Sequence, residues 1–221
     1  MKELKDYLYY HEPGPPDIKI YLGDCLEIMP LLPKVDLVVT DPPFGMGNFV
    51  QTSGRIMGRG SNKGKKVEWN EAIPSKEIFN LIREKSAHRI IWGANFFNCF
   101  EEDGGAIVWI KEQHMPNFSK ADIASCTHYK KTETVTIPWT NFTVTHKAET
   151  DHPCERPTQL YKWCINYLPV KNDLILDPFL GSGTTLVACK ELKRNGIGIE
   201  INEKYCEIAK KRLLNTQVPF L

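Results

Sequence analysis

Apolar residues along the chain fall into short blocks separated by amphipathic stretches. The blocks are of strand length and predict strands at residues 18–22, 35–40, 89–92, 106–110, 174–176 and 196–201. Between them, apolar residues at helical spacing predict helices at residues 75–86, 184–193 and 203–214. Strands that alternate with helices are typical of a mostly parallel sheet with helices on its faces. The pattern therefore predicts an α/β fold, with residues 132–145, which alternate in places, as an antiparallel strand at the sheet edge.

Size and composition narrow the class of protein. A chain of 221 residues, 42% of them hydrophobic and 25% charged, suits one globular domain over residues 1–221. No apolar run approaches the roughly 20 residues of a membrane span, and the first residues lack the apolar stretch of a secretory signal. The 7 cysteines include no Cys-x-x-Cys pair, so neither a disulfide framework nor a zinc site is expected. We therefore expect a cytoplasmic protein with reduced thiols, no metal and no membrane contact.

Charge is distributed unevenly, although the net charge of +1 says nothing about partners. Residues 48–66 contain no acid and several glycines, together with five basic residues: Arg55, Arg59, Lys63, Lys65 and Lys66. Such a stretch is either a solvated, flexible surface loop or a loop that contacts nucleic-acid phosphates. The motifs elsewhere in the chain favour the second interpretation.

A glycine-rich turn follows the predicted strand that ends at Asp177. Phe179 precedes the turn, which opens the next predicted helix with Gly181, Ser182, Gly183, Thr184 and Thr185. Glycines let the backbone approach a ligand closely, and a helix start offers free N–H groups. Glu200 follows about 20 residues further on, near the spacing at which an acid binds a ribose diol.

Two common phosphate-binding motifs do not fit this turn. A P-loop needs a lysine before its Ser/Thr, and the turn has none. A dinucleotide fingerprint needs a third glycine, where Leu186 stands. Two interpretations remain: a plain structural turn, and a site for a nucleoside cofactor whose other end is an amino acid. In the second, the Asp177 carboxylate faces an α-amino group.

A second unusual segment, Asp41-Pro42-Pro43-Phe44, follows the predicted strand 35–40. Two prolines after an acid cannot extend a central strand, and they fix the directions of the Asp41 side chain and the Pro42 carbonyl. A carboxylate, a rigid carbonyl and the Phe44 ring suit an exocyclic amino group on a planar base. Two acceptors on its N–H bonds favour the tetrahedral nitrogen that attacks a methyl sulfonium. A proline-stiffened surface turn is the other interpretation.

Together, these segments resemble the amino-methyltransferases of DNA, the N6-adenine and N4-cytosine enzymes. The family's cofactor motif is similar to residues 177–184, and its catalytic motif to residues 41–44. Residues 23–26, with Asp24 and Cys25, resemble the segment at the cofactor's adenine. Residues 152–157, with His152 and Arg156, resemble a His-Pro-x-Glu-Lys-Pro element near its methionine end. Residues 91–97 look like a segment common in small, often phage-borne members. The catalytic motif precedes the cofactor motif, as in the permuted (beta) class.

The resemblance implies a single Rossmann-like methyltransferase domain in circularly permuted motif order. Its sheet is expected to have seven strands, mostly parallel, and to end in an antiparallel hairpin. The implied cofactor is S-adenosyl-L-methionine, held by the glycine-rich turn with Asp177 and Phe179 and by Asp24, Cys25, Glu200, His152 and Arg156. The implied partner is duplex DNA with its target base flipped out, as in restriction–modification, and members of the class often form dimers. Residues 111–151 and the basic loop are then left for target recognition.

Asp41 also bears on the choice of base. In the family, Asp at the first catalytic position usually accompanies adenine targets, so N6 of adenine is the expected acceptor. Phe44 stands where tyrosine is commoner, which keeps the stacking surface but removes a hydroxyl, and Arg156 stands where lysine is commoner. N4 of cytosine, an RNA base, and a catalytically silent module that binds cofactor and DNA remain as alternatives. Protein-glutamine enzymes commonly show Asn-Pro-Pro-Tyr, so Asp41 disfavours that substrate.

Overall fold

The computed structural model describes residues 2–45, 73–112, 119–127, 129–139, 156–168 and 174–218. Within these ranges the chain builds one mixed sheet. Its strands, in chain order β1 to β9, are Leu8–Glu12, Ile18–Leu22, Val35–Thr40, Ser86–Trp92, Gly105–Ile110, Ala121–Cys126, Thr132–Thr136, Leu174–Asp177 and Asn195–Glu200. The helices, α1 to α6, are Cys25–Ile28, Lys76–Lys85, Ala94–Phe97, Thr158–Tyr167, Thr184–Glu191 and Glu203–Asn215. Short 3-10 turns occupy Leu4–Tyr7 and Met29–Leu31.

The sheet separates two apolar layers, because successive side chains of a strand point to opposite faces. On β3, Leu37 and Val39 pack into one buried cluster with residues of α4, α5 and α6. Val38 packs into the other, with residues of α1 and α2. Both faces of the central strands are therefore covered, as the continuous apolar blocks of the sequence require. In the described part of the chain, no helix is long and apolar enough to cross a membrane.

The strands lie in the order β1-β2-β9-β8-β3-β4-β6-β5-β7. The five from β2 to β4 in this order are parallel, which confirms the mostly parallel arrangement. An antiparallel hairpin is formed by β5 and β6, and β6 is also antiparallel to β4. The described sheet has nine strands, so the expectation of seven was wrong. Two strands, β1 and β6, were not among those predicted from the apolar blocks and the alternating segment, and they account for the difference.

The edge strand at 132–136 is the second correction. The expected strand lies at the edge, but it pairs in parallel with β5, so its antiparallel orientation was wrong. Alternation of apolar and polar residues reports a half-exposed strand and contains no information about the direction of its neighbour.

The strand order reverses between β8 and β3, and this reversal determines where a ligand can bind. From β8 the chain continues through α5 to β9 on one side, whereas from β3 it continues to β4 on the other. In open α/β sheets, a crevice forms outside the carboxyl ends of the strands at such a switch point. Thr40, at the end of β3, and Asp177, at the end of β8, flank it.

Candidate active site

Four chain segments meet at this crevice because each follows one of four adjacent parallel strands. Asp24 follows β2, Glu200 ends β9, the glycine-rich turn follows β8, and Asp41 begins the segment after β3. Residues far apart in the sequence, predicted to act together, are thus at one edge of the sheet.

The glycine-rich turn owes its shape to two residues with positive φ. Gly181 has φ 54° and Gly183 has φ 88°, a region that other residues rarely adopt. A Cβ on Gly183 would lie 2.6 Å from the Cβ of Ala209 in α6, so the turn also needs the missing side chain in order to pack. Arg212 of α6 fixes the turn from behind, donating from one guanidinium nitrogen to the Ser182 carbonyl and hydroxyl at 2.8 and 2.9 Å. The start of α5 follows this turn at the carboxyl end of β8, where the N-terminus of a helix favours an anion.

Glu200 closes the turn on the side of β9. One oxygen of its carboxylate accepts from the Gly181 N–H at 2.8 Å and the other from the Asn202 N–H at 2.9 Å. Burial raises the pKa of Glu200 above its ordinary value, against the effect of these N–H donors. Its carbonyl accepts from the Gly23 N–H at 2.9 Å, next to Asp24, whose carboxylate caps α1 through the Leu26 N–H at 2.8 Å. Glu200 therefore connects the turn to the segment after β2.

Asp177 is the most enclosed carboxylate of the site, with 2% of its surface exposed. It accepts hydrogen bonds from the Thr40 hydroxyl at 2.7 Å, from the Thr185 hydroxyl, and from the Phe179 N–H at 3.1 Å. Burial raises the pKa of Asp177 to about 6, although these three donors act in the opposite direction. The side chain thus organises the turn from inside the protein.

The raised pKa predicts a specific pH dependence of stability. Because the folded pKa of about 6 exceeds the ordinary 3.8, the stabilisation is present below the lower value and is lost as pH rises through the higher one. As pH rises from below 3.8 to above 6, the free energy of unfolding of the unliganded protein should fall by about 3 kcal/mol relative to that of Asp177→Asn. This figure is the difference between the two pKa values multiplied by about 1.36 kcal/mol per pKa unit. Urea unfolding at several pH values measures this. The exposed Asp103→Asn serves as control, and parallel pH curves for Asp177→Asn and the unmodified protein would contradict the assignment.

Phe44 is held by an aromatic cluster at the end of β4. Its ring stacks on Phe96 with centroids 5.0 Å apart and contacts Phe97 at 5.7 Å in a tilted arrangement. Gly93 lies against the ring, since a Cβ there would be 2.2 Å from its Cε1 atom. Phe96 itself is 49% exposed, so the aromatic cluster that holds Phe44 reaches the protein surface.

Asp41 belongs to a chain of charged residues in which Arg156 and Lys111 are buried and the two aspartates are partly exposed. Arg156 donates to both of its carboxylate oxygens, from Nε at 2.5 Å and from Nη2 at 2.8 Å. The remaining terminal nitrogen of Arg156 donates to Asp122 at 2.7 Å, and Lys111 pairs with the other oxygen of Asp122 at 2.8 Å. Burial raises the pKa of Asp41, while the nearby guanidinium acts to lower it. The hydroxyl of Tyr161, on α4, lies within the field of Asp41, Asp177 and Arg156.

Asp122 and Lys111 were missed in the sequence. Neither belongs to a recognisable motif, because Lys111 meets Asp122, and Asp122 meets Arg156, only in the folded β5–β6 hairpin, whose register places Trp109 opposite Asp122. Arg156 was predicted to bind cofactor, and the structure places its guanidinium on Asp41.

Cys25 is buried at the start of α1, and burial raises the pKa of its thiol to about 12, so this side chain packs in the core.

Several predicted residues lie outside the described ranges: Arg55, Arg59, Lys63, Lys65, Lys66 and His152. Their roles stay predictions, as do those of the described cofactor and catalytic residues. The described residues contain no group of three or more His, Cys, Asp or Glu side chains that could hold a metal ion.

Comparisons with known proteins agree with this geometry. A family model described as DNA methylase matches residues 110–211. The Type II methyltransferase M.HpaI of Haemophilus parainfluenzae is 28% identical over 220 residues, which cover 81% of this chain and 68% of that protein. These matches support an amino-methyltransferase family.

Solved structures of methyltransferases share the fold. The crystal structure of an M1.HpyAVI–SAM complex aligns with a TM-score of 0.56 and 24% identity, covering 88% of this chain and 99% of that one. The cytosine-N4-specific PvuII DNA methyltransferase aligns with a TM-score of 0.59 and 16% identity, covering 91% and 94%. The α/β sheet with its covering helices is therefore similar in fold to these methyltransferase structures.

Proposed function

We propose that this protein transfers a methyl group from S-adenosyl-L-methionine to the exocyclic amino group of a DNA base, N6 of adenine. One observation carries the proposal: the Asp41–Phe44 segment and the glycine-rich turn flank the same switch point, joined by the Thr40–Asp177 hydrogen bond. A site for a nucleoside cofactor and a site for an aromatic amine are thus immediate neighbours. The match to the DNA methylase model supports the substrate class.

The residues of the turn suit this cofactor. Gly181 and Gly183 leave the backbone open to close approach, and the N–H groups at the start of α5 favour a carboxylate. Glu200, at the tip of β9, is positioned for the ribose diol, with Asp24 beside it on the adenine side. When bound, S-adenosylmethionine supplies an electrophilic methyl group on a sulfonium. The protein's own residues orient it toward the crevice between β8 and β3.

Asp41 and Phe44 act on the base. The ring of Phe44 stacks on the planar base, while the Asp41 carboxylate and the Pro42 carbonyl accept its two amino N–H bonds. This geometry localises the nitrogen lone pair and favours the transition state over the flat, conjugated amine. The amine nitrogen would form its new N–C bond with the methyl group that the cofactor supplies, and the cofactor would keep the electron pair of the S–C bond. The amino proton then passes to Asp41 or to water, and a weak base suffices because the methylated cationic amine is strongly acidic.

The base reaches this site only outside the double helix. Unstacking and unpairing cost roughly a few kcal/mol, which contacts to the flanking phosphates offset. We assign those contacts to the basic residues of the 48–66 loop, with residues 111–151 as the further region for target recognition. A permuted motif order, a dimer and a restriction–modification role belong to the same proposal.

If the basic loop contacts DNA phosphates, a variant that lacks two of its charges should bind DNA with a weaker dependence on salt than the unmodified protein does. Replacing Lys65 and Lys66 by glutamine should reduce the slope of log affinity against log salt by about 1.8, at about 0.9 for each phosphate that the protein no longer neutralises. Fluorescence anisotropy with a short duplex measures the slope. Lys210→Gln with Lys211→Gln is the control, since both lysines lie on α6 near Glu207. An unchanged slope in the loop variant would remove the loop from the interface.

The decisive experiment identifies the product. The protein is incubated with S-adenosylmethionine carrying a tritiated methyl group and with unmethylated DNA, which is then digested to nucleosides. Label in N6-methyladenine is the expected result. Label in N4-methylcytosine would keep the mechanism and replace the base, and label only in RNA would replace the substrate. Cofactor binding without transfer to any nucleic acid would favour a silent binding module, the alternative that the intact Asp41–Phe44 segment disfavours.

A further inference from the structure

We propose that Arg156 and Asp122 are positioning residues for Asp41: Asp122 orients the Arg156 guanidinium, and Arg156 in turn orients the carboxylate that accepts the amine. This inference rests on the proposed function and extends it to residues outside the catalytic motif. It assigns Arg156 to the base side of the crevice, in place of a contact with the cofactor.

The hydrogen-bond geometry leaves Asp41 free to accept a substrate. An ionised carboxylate has about four acceptor positions on its two oxygens. Arg156 uses one position on each oxygen, so each oxygen keeps a position for the amine N–H or its proton. The bidentate contact also fixes the plane of the carboxylate, which a single hydrogen bond would not do.

The charges explain why a second carboxylate is present. Arg156 is almost fully buried, and its guanidinium lies over the rings of Trp92 and Trp109 at 5.1 and 5.4 Å. These two rings, which are nearly perpendicular to each other, pack against the guanidinium, and Asp122 accepts a hydrogen bond from its Nη1. Lys111 then holds Asp122 from the other side, at 2.8 Å.

The network thus extends from Asp41 to the β5–β6 hairpin. Lys111 lies directly after β5, and Asp122 is the second residue of β6. The 111–120 connection between these strands lies within the region proposed to recognise the target.

The groups that face Asp41 define the test. Arg156 and Lys111 act to lower the pKa of Asp41, and Asp122 acts to raise it. Tyr161 and Asp177 face it from α4 and β8. Neutralising Asp122 should therefore move the acid limb of the pH–rate profile to lower pH, and removing the Arg156 charge should move it to higher pH. A purely structural role predicts no such opposite pair of shifts.

Three variants provide the measurement: Asp122→Asn, Arg156→Lys and Arg156→Met. We expect kcat to fall about 10- to 100-fold in each, the size of effect of a misplaced catalytic group. S-adenosylmethionine affinity, measured by calorimetry, should change less than about threefold, and Arg156→Lys should keep the pH profile closer to that of the unmodified enzyme than Arg156→Met does. A loss of cofactor affinity with kcat retained would return Arg156 to the cofactor site and overturn the proposal.

A direct titration separates this inference from the proposed function. Carbon-13 NMR of labelled aspartate side chains follows Asp41, whose resonance is identified by its loss in Asp41→Asn. The opposite pKa shifts in Asp122→Asn and Arg156→Met should appear without DNA or turnover. If they appear in a protein that methylates nothing, the positioning network stands and the proposed function fails. If both variants titrate like the unmodified protein, the network does not act on Asp41.

Discussion

Asp41→Ala is expected to lower methyl transfer about 10³-fold or more while S-adenosylmethionine still binds. The carboxylate supplies one of the two acceptors that localise the amine lone pair, and such an oriented group contributes about 10²- to 10³-fold, with proton transfer adding to it. The cofactor side of the crevice does not use Asp41, since Asp177 is held by Thr40, Thr185 and Phe179. Single-turnover transfer of tritiated methyl to DNA measures the loss, and calorimetry measures cofactor binding.

The design of this experiment must allow for Arg156. Removing the Asp41 carboxylate leaves the buried Arg156 without one of its two ionic partners, which destabilises a protein. The loss of stability is only partial here, because Arg156 keeps its contact with Asp122. Asp41→Asn is therefore the matched variant: it keeps the shape of the side chain and one acceptor oxygen but cannot take a proton. Thermal unfolding is recorded for both variants. Unchanged turnover in folded Asp41→Ala would exclude Asp41 from the chemistry.

Gly93→Ala is expected to lower methyl transfer about 10²-fold although Gly93 touches no substrate. Gly93 has φ 74°, where alanine is strained by about 1–3 kcal/mol, and the new Cβ would lie 2.2 Å from Phe44. The Phe44 ring must then leave its place against Phe96 and Phe97, which tilts the stacking surface beside Asp41. A displacement of about 1 Å at a reacting centre costs about 10²-fold. The same single-turnover assay measures the effect.

A substitution at a second glycine, Gly14, distinguishes the effect of backbone strain from the effect of displacing the Phe44 ring. Gly14 also has positive φ, at 149°, but a Cβ there would meet no atom closer than 3.9 Å. Gly14→Ala should therefore lose some stability and keep full activity. Equal activity losses in the two variants would show that backbone strain, and not the position of Phe44, lowers the rate.

Local sequence features predicted the central strands and the two motifs because each depends on neighbours in the chain. Strands β2 and β3 begin and end where the apolar blocks do. The first residues of β4, Ser86, Ala87 and His88, lack that apolar signal, and the strand was predicted to begin at residue 89. The helix α4 was not predicted, since Tyr161, Trp163 and Tyr167 have only modest helix propensity and its apolar residues are not confined to one stripe.

The residues of the candidate site were likewise predictable where they follow from local sequence features, and not elsewhere. Asp41, Asp177 and Glu200 each stand at the end of a recognisable strand, and parallel strands bring such ends together. Asp122 and Lys111 depend on strand pairing between distant residues, and no local pattern encodes that register. The partner of Arg156 was beyond sequence reasoning for the same reason, because its contact with Asp41 spans 115 positions in the chain.

The Thr40–Asp177 hydrogen bond has a thermodynamic consequence. Thr40 immediately precedes Asp41, and Asp177 organises the turn at the cofactor side, so one buried bond joins the two halves of the crevice. A cofactor that shifts Asp177 changes the free energy of placing a base at Asp41. By linkage the effect is reciprocal: the factor by which the cofactor tightens DNA binding equals the factor by which DNA tightens cofactor binding. The binding of cofactor and the binding of DNA are then coupled already in the complexes that precede methyl transfer.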